Sequence, residues 1–187
     1  MLKSTGILSE GLQSIGNFMA DVLRMEARMQ GHRLTGKLER SIEAVIRKKL
    51  GEWEIDMLHE KYGTYQNTGI PASAIPYSPG SGARSSKFIT ALIRWVQLRG
   101  IAPGFAGAKR IAFAIATVQK RKGMPTKGSY RFSNNGRRTG WIDHPASKQA
   151  QNIQRKTEKV YEGFFEALFD EHIDALQKQF PGTIEKL

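Results

Sequence analysis

The first apolar pattern along the chain has helical spacing and covers residues 7–30. Its apolar side chains fall on one narrow stripe, so we predict a helix that packs on a core and keeps its other side in water. Gly31 is expected to end this helix. Gly11 and Gly16 weaken the prediction, because a glycine inside a helix costs about 1 kcal/mol relative to alanine.

The period then changes to two. Apolar side chains occupy every second position from Ile42 to Ile46 and again from Trp53 to Met57. This alternation predicts an antiparallel hairpin with Leu50-Gly51 between the strands, one buried face and one solvated face. Residues 61–67, which include two tyrosines, are predicted as a short third strand.

Two irregular stretches enclose a pair of helices in the middle of the chain. Residues 68–86 are rich in proline and small residues, and residues 124–146 are basic with turn-forming pairs, so we predict loops there. Helical periodicity predicts helices over residues 87–99 and 106–121, an inserted pair within residues 87–121. The second helix is expected to turn these side chains inward: Ile111, Ala114, Ile115 and Val118.

A long final helix is predicted over residues 146–180. Its apolar positions cover about 220° of the circumference, whereas a helix with one core needs little more than about 100°. The excess predicts packing on two sides, either within a deep core or against a core and a neighbouring subunit. The candidate subunit interface consists of Phe164, Phe165, Leu168, Phe169 and Ile173.

The order of these elements predicts an α+β fold. We expect a small antiparallel sheet flanked by an N-terminal helix and a long C-terminal helix, with the inserted helical pair. We find no internal repeat and no linker between two self-sufficient cores. Residues 1–187 are therefore expected to form a single domain, with residues 68–86 and 124–146 as excursions from it.

Charge adds a strong asymmetry to this picture. The formal net charge is +12, and residues 61–142 contain 14 basic residues and no acidic residue. A surface of one sign attracts a negative partner, either nucleic acid or an acidic protein face. The candidate contacts to DNA or to partner proteins are Arg84, Lys87, Arg94, Arg99, Lys109, Arg110, Lys120, Arg121, Lys122, Lys127, Arg131, Arg137 and Arg138.

Catalytic and metal-binding patterns are missing from the sequence. It contains no cysteine, and its four histidines lack metal-ligand spacing. The acids between Glu52 and Asp56 have the period of a solvated strand face, and Gly80–Lys87 lacks the spacing of a phosphate-binding loop. No apolar run is long enough for a membrane span, and no signal peptide is evident. We expect no enzyme, no cofactor and no membrane partner, and synthesis in a cytoplasm.

Several short motifs resemble a known family. Residues 34–42 (LTGKLERSI) enter the first strand, residues 62–69 (YGTYQNTG) follow the hairpin, and residues 95–101 (WVQLRGI) lie in the helical pair. These motifs resemble the tail-completion proteins, also called minor tail or head–tail joining proteins, of long-tailed bacteriophages. The resemblance covers most of the chain from Leu34 to Phe180. It departs at Asn67, a position that is often acidic in the family, and at residues 138–145 (RTGWIDHP), which match only loosely the aromatic-and-proline entry to the last helix.

The resemblance implies an α+β subunit without catalytic residues. Such subunits assemble as a homo-oligomeric ring in the virion neck, between the head connector and the tail, around the passage for DNA. We therefore expect a structural virion protein that is assembled in the host cytoplasm. Its expected partners are further copies of itself and the neighbouring head-connector and tail proteins, with DNA in the channel.

Three alternatives stay open at this stage. A free nucleic-acid-binding protein would use the basic segment 61–142. A tail-terminator protein of related fold would occupy a different place in the same particle. A small enzyme would use Gly80–Lys87 on phosphates, and it would then bind nucleotide through Lys87.

Overall fold

The structure of the chain, a computed structural model, describes residues 3–80 and 86–180. A two-stranded antiparallel sheet accompanies long N-terminal and C-terminal helices, which confirms the α+β prediction. The elements in chain order are α1 (Lys3–Met29), α2 (Lys37–Ser41), β1 (Glu43–Lys49), β2 (Glu52–Leu58), α3 (Tyr62–Thr68), α4 (Lys87–Leu98), α5 (Gly104–Lys122) and α6 (Asp143–Gln179).

The chain divides into two compact units. Unit 1 combines Met1–Leu23, Ile42–Leu58 and His144–Leu187, and unit 2 combines Arg24–Ser41 and His59–Asp143. Unit 1 therefore takes the hairpin and most of α1 and α6, whereas unit 2 takes α2 to α5. The single-domain prediction for the whole chain stays a prediction.

The core of unit 1 is formed by α1, the hairpin and α6. Leu8, Leu12 and Ile15 are buried, and they pack with residues of all three elements: Met19, Ile46, Trp53, Ile55, Ile153, Val160 and Phe164. The leading helix is thus confirmed, with an earlier start. A Cβ atom at Gly11 would lie 2.5 Å from Cγ1 of Val160. The glycine that lowers helix propensity is therefore the residue that lets α1 and α6 pack closely.

The hairpin prediction is also confirmed. Ala44 lies opposite Met57 and Ile46 opposite Ile55, so the apolar positions of both strands share one face. On the other face, Nε of Arg47 lies 3.1 Å from Oδ2 of Asp56. The two turn residues have positive φ angles of 50° and 89°, as a two-residue hairpin turn of the favoured hand requires.

The prediction of a third strand over residues 61–67 is wrong, because Tyr62–Thr68 forms helix α3. The two tyrosines favour a strand by propensity, but both are exposed. The buried positions are Gly63 and Asn67, four residues apart on one side of the helix. Neither is hydrophobic, so the apolar pattern could not reveal the period. The short helix α2 is likewise absent from the prediction.

The stretches predicted as loops contain only short ordered pieces among the described residues. Ala72–Ala74 and Lys127–Phe132 form 3-10 turns, and Ile70 pairs with Met124 in an isolated antiparallel bridge. This bridge ties the first stretch to the second within unit 2. Residues 81–85 lie outside the described residues. The final helix is confirmed, and it begins at Asp143 rather than at residue 146.

The helical pair is confirmed, and the predicted inward side of α5 is confirmed in part, because Ile111 and Ile115 pack against the core of the pair. Three alanines spaced four residues apart are buried, and they pack against Ile89, Ile93 and Val96 of α4: Ala108, Ala112 and Ala116. Small side chains let two helices approach closely, so the alanine stripe makes the contact. The bulkier Ile111 and Ile115 are only partly buried, and Ala114 is exposed.

Ala112→Leu tests this contact. Extra atoms in a filled helix interface are expected to lower the free energy of unfolding by about 1–3 kcal/mol. Ala114→Leu adds the same atoms at an exposed position of the same helix, and it should change that free energy by less than about 0.5 kcal/mol. Urea denaturation followed by circular dichroism measures both. Equal effects of the two substitutions would contradict the alanine contact.

Candidate functional site

A groove in unit 2 is lined by α4, α5 and residues 124–132, and it has a volume of about 640 Å³. Ile111 and Ile115, which are partly buried against the core of the helical pair, also form part of its wall. Its apolar lining consists of Ile70, Phe88, Ala91, Leu92, Trp95, Ile101, Ile111, Ala114, Ile115, Val118, Met124, Pro125 and Phe132. A volume of this size lies in the range of ligand and peptide sites.

Basic side chains surround the apolar wall. Lys122, Lys127, Arg131 and Arg138 line the groove, and the first three are exposed. No acidic side chain is among the residues that line it in the described part of the chain. We call this site the cationic groove. Unit 2 as a whole holds nineteen basic and four acidic residues, whereas unit 1 holds ten and thirteen.

Two amide groups in the cationic groove have unused hydrogen-bonding capacity. Gln119 is 6% exposed, and its Oε1 has no hydrogen-bond partner among the described residues. Oε1 of Gln66, another lining residue, is in the same state. Buried acceptors without a donor cost about 1–3 kcal/mol each. Both oxygens are covered by protein atoms, so the groove offers an occupant its apolar surface rather than these acceptors.

One of the candidate contacts to DNA or partner proteins, Arg84, lies outside the described residues. The others separate into three sets. Lys122, Lys127, Arg131 and Arg138 line the cationic groove, and Arg99 and Lys120 donate hydrogen bonds to backbone carbonyls within unit 2. The remaining side chains are exposed on α4, α5 and the segment after them: Lys87, Arg94, Lys109, Arg110, Arg121 and Arg137.

Arg99 and Arg138 bind the carboxyl end of α1. Gly31 has a φ angle of 70° and ends the helix, with the N–H of His32 donating to the carbonyl of Ala27 at 2.9 Å. Arg99 donates to the carbonyl oxygen of Gly31 at 3.1 Å, and Arg138 donates to that of Gln30. Positive charge at a helix carboxyl end is stabilising.

The Gly31 position is closely enclosed. A Cβ atom there would lie 1.8 Å from the carbonyl oxygen of Phe132, so only glycine fits. The guanidinium carbon of Arg99 lies 4.8 Å from the ring centroid of Phe132, and that of Arg131 lies 4.7 Å from it. Burial lowers the pKa of both Arg99 and Arg138, and for Arg138 the charge of Arg99 adds to the effect. Both stay charged, because an arginine pKa begins far above neutrality.

His32 lines the cationic groove beside these arginines. Burial of its ring and, to a smaller extent, the positive charge of Arg138 together lower its pKa to about 4. Nε2 of His32 lies 3.2 Å from Oε1 of Gln30. The ring is therefore neutral at pH 7 and adds no charge to the groove.

The low pKa of His32 predicts an acid-dependent loss of stability. Between about pH 6.5 and about pH 4 the unfolded chain binds a proton at His32 and the folded chain does not, so the free energy of unfolding falls as the pH falls. The slope from one such group is at most about 1.4 kcal/mol per pH unit. Urea unfolding of the wild type and of His32→Gln at several pH values measures it. If the free energy of unfolding of His32→Gln depends on pH as steeply as that of the wild type, the low pKa of His32 is contradicted.

A second buried contact joins α3 to the residues before α6. Nδ2 of Asn67 donates to Oδ2 of Asp143 at 2.7 Å, and Oδ1 of Asn67 accepts from the N–H of Ile142 at 2.8 Å. Trp141 is fully buried, and its Nε1 donates to the carbonyl of Gly63 at 2.9 Å. The YGTYQNTG motif thus has a structural role here. Asn67 uses both ends of its amide, and a carboxylate in its place would face Asp143.

Asn67→Asp is expected to lower the free energy of unfolding by about 2 kcal/mol at pH 7. The substitution removes the donor to Asp143 and brings two carboxylates together. The swap Asn67→Asp/Asp143→Asn exchanges donor and acceptor, so it should recover most of the loss. Thermal and urea unfolding measure both variants. A swap as unstable as the single substitution would show that the pairing does not matter.

Helix α6 carries an exposed aromatic surface in unit 1. Phe165 is 59% and Phe169 is 68% exposed, and Tyr161 precedes them at the same four-residue spacing. We call these three residues the aromatic face of α6. Beside this face lies a stripe of exposed acidic side chains, also at four-residue intervals: Glu158, Glu162, Glu166 and Asp170.

The candidate subunit interface divides between two environments. Phe164 packs into the core of unit 1, and Leu168 and Ile173 are half-buried. Phe165 and Phe169 remain on the surface, although the ring of Phe165 lies 5.3 Å from that of Phe164, centroid to centroid. The broad apolar circumference of this helix therefore includes a side that nothing covers among the described residues of one chain.

Within residues 3–80 and 86–180, no group of three metal-ligating side chains comes together, and no helix has the length and apolar character needed to cross a membrane. The side chain of Ser86 accepts a hydrogen bond from the N–H of Ile89 at 3.1 Å and caps α4.

No family model, no curated protein and no solved structure matches this chain.

Proposed function

We propose that this chain is a structural subunit of a bacteriophage neck. Copies of it form a ring that joins the head connector to the tail and surrounds the DNA passage. The observation that carries the proposal is the exposed aromatic face of α6, on a helix whose opposite side already packs in a core. Adjacent exposed aromatic side chains on a folded unit are typical of a surface that another protein covers.

The motifs that resemble the tail-completion family support the same function. Gly63 and Asn67 of the YGTYQNTG stretch anchor Trp141 and the start of α6, so the motif belongs to the framework rather than to a catalytic site. An assembly protein needs stable surfaces and no reacting groups. Asn67 and Trp141 use their buried polar groups in this framework, by hydrogen bonds to backbone atoms and to Asp143.

The exposed cations of unit 2 have a place in this function. Lys87, Arg94, Lys109, Arg110, Arg121 and Arg137 form no part of the cationic groove. In a neck they meet acidic faces of the adjoining head-connector and tail rings, or the phosphates of DNA in the channel. Charge on such surfaces mainly sets the rate and specificity of association.

The position of the protein in the particle tests the proposal. We expect mass spectrometry of purified virions to detect the chain, and electron cryo-microscopy to place a ring of it between connector and tail. Virions made without it should accumulate as separate heads and tails. A chain found only in the infected-cell cytoplasm would refute the proposal, and a ring at the end of the tail tube would identify a tail terminator.

The acid-free segment favours a second candidate, a free nucleic-acid-binding protein. Fluorescence anisotropy with duplex DNA separates the two functions. For a neck subunit we expect only non-specific affinity at physiological salt, with a dissociation constant of about 10⁻⁴–10⁻⁶ M. A dissociation constant of about 10⁻⁸ M or lower, with a strong preference for one sequence, would support the second candidate instead.

A further inference from the structure

We propose that the cationic groove of one copy binds the aromatic face of α6 of a second copy, so that identical chains join head to tail. The contact deepens the proposed assembly function, on which it rests, by naming both surfaces of the subunit interface. One surface belongs to unit 2 and the other to unit 1.

The shape of the helix surface suits a groove. Tyr161, Phe165 and Phe169 follow one another at four-residue intervals, so they extend along about 12 Å of one helix side. An amphipathic helix that lies in an apolar groove uses anchors at such intervals. The groove offers aromatic and branched side chains from α4 and α5 along its walls.

The charges of the two surfaces are complementary. Residues 158–174 contain six acidic residues and one lysine. Glu162, Glu166 and Asp170 each follow a residue of the aromatic face, whereas exposed Lys122 and Lys127 line the groove. An acidic helix entering a cationic groove is attracted, while two acidic helices or two cationic grooves repel each other. The charges therefore favour contact between unlike surfaces.

A contact between unlike surfaces has a structural consequence. Each copy keeps one free groove or one free helix face after it has bound a neighbour, so association continues beyond a dimer, to a ring if the rotation between copies closes and to a filament if it does not. Contact of α6 with α6 would instead be symmetric and would stop at a dimer. The two arrangements give different results when the surfaces are damaged separately.

Two variants damage one surface each. Ala91→Glu/Ala114→Glu puts negative charge on two exposed groove positions, and its control Ala106→Glu/Gln97→Glu puts the same charge on exposed positions of the same helices outside the groove. Phe165→Ser/Phe169→Ser removes the aromatic face, and its control Leu50→Ser removes an exposed leucine from the hairpin turn. Circular dichroism checks that all four fold.

Sedimentation velocity and native mass spectrometry then measure association. We expect the wild type and both controls to form oligomers larger than dimers, and each damaged variant alone to be monomeric, with a dissociation constant raised about tenfold or more. An equal mixture of the two damaged variants should give a one-to-one dimer and nothing larger, because one intact groove and one intact helix face remain.

Other outcomes overturn the contact. A groove variant that assembles like its control shows that α6 binds elsewhere, and a monomeric wild type shows that the two surfaces do not suffice.

Because the chain has no cysteine, Ala114→Cys and Phe169→Cys copies can be mixed and oxidised. Mixed disulfide dimers support the contact, whereas dimers of Phe169→Cys alone indicate symmetric helix pairing. Each of these contrary results refutes only the proposed contact. The proposed neck function is tested separately, by the location of the protein in virions.

Discussion

The close packing of α4 on α5 is the contact on which the cationic groove depends. Ala108, Ala112 and Ala116 occupy the side of α5 that meets α4, and their small size brings the helices together. Ile111 and Ile115 of α5 are partly buried against this core, and they also line the groove. The same residues therefore contribute to the core of the helical pair and to the apolar wall of the groove.

A long segment without acids also constrains how its cations are accommodated. Arg99 and Arg138 are partly buried in unit 2, and no carboxylate lies within the segment to pair with them. They bind carbonyl oxygens at the end of α1 instead, where several carbonyls have no partner within the helix. Part of the positive charge is thus used inside the fold, and the remainder is available to partners.

The acids that the middle of the chain lacks are concentrated elsewhere. Unit 1 carries thirteen acidic residues, and α6 presents several of them beside exposed Phe165 and Phe169. Separation of opposite charges onto two units of one chain disfavours contact between like surfaces. It favours the repeated contact of unlike surfaces that a ring requires. The proposed neck function and the proposed subunit contact both draw on this distribution.

The sequence alone determined the α+β class, the hairpin with its apolar face, the long terminal helices and the acid-free segment, because periodicity and charge are local properties. It did not determine α3, whose buried side is Gly63 and Asn67, nor the buried alanine stripe of α5. Hydrophobicity ranks isoleucine above alanine, but the tertiary structure selects alanine where helices must approach closely. Tertiary structure also decided that Arg99 and Arg138 bind α1, since those carbonyls lie far away in sequence.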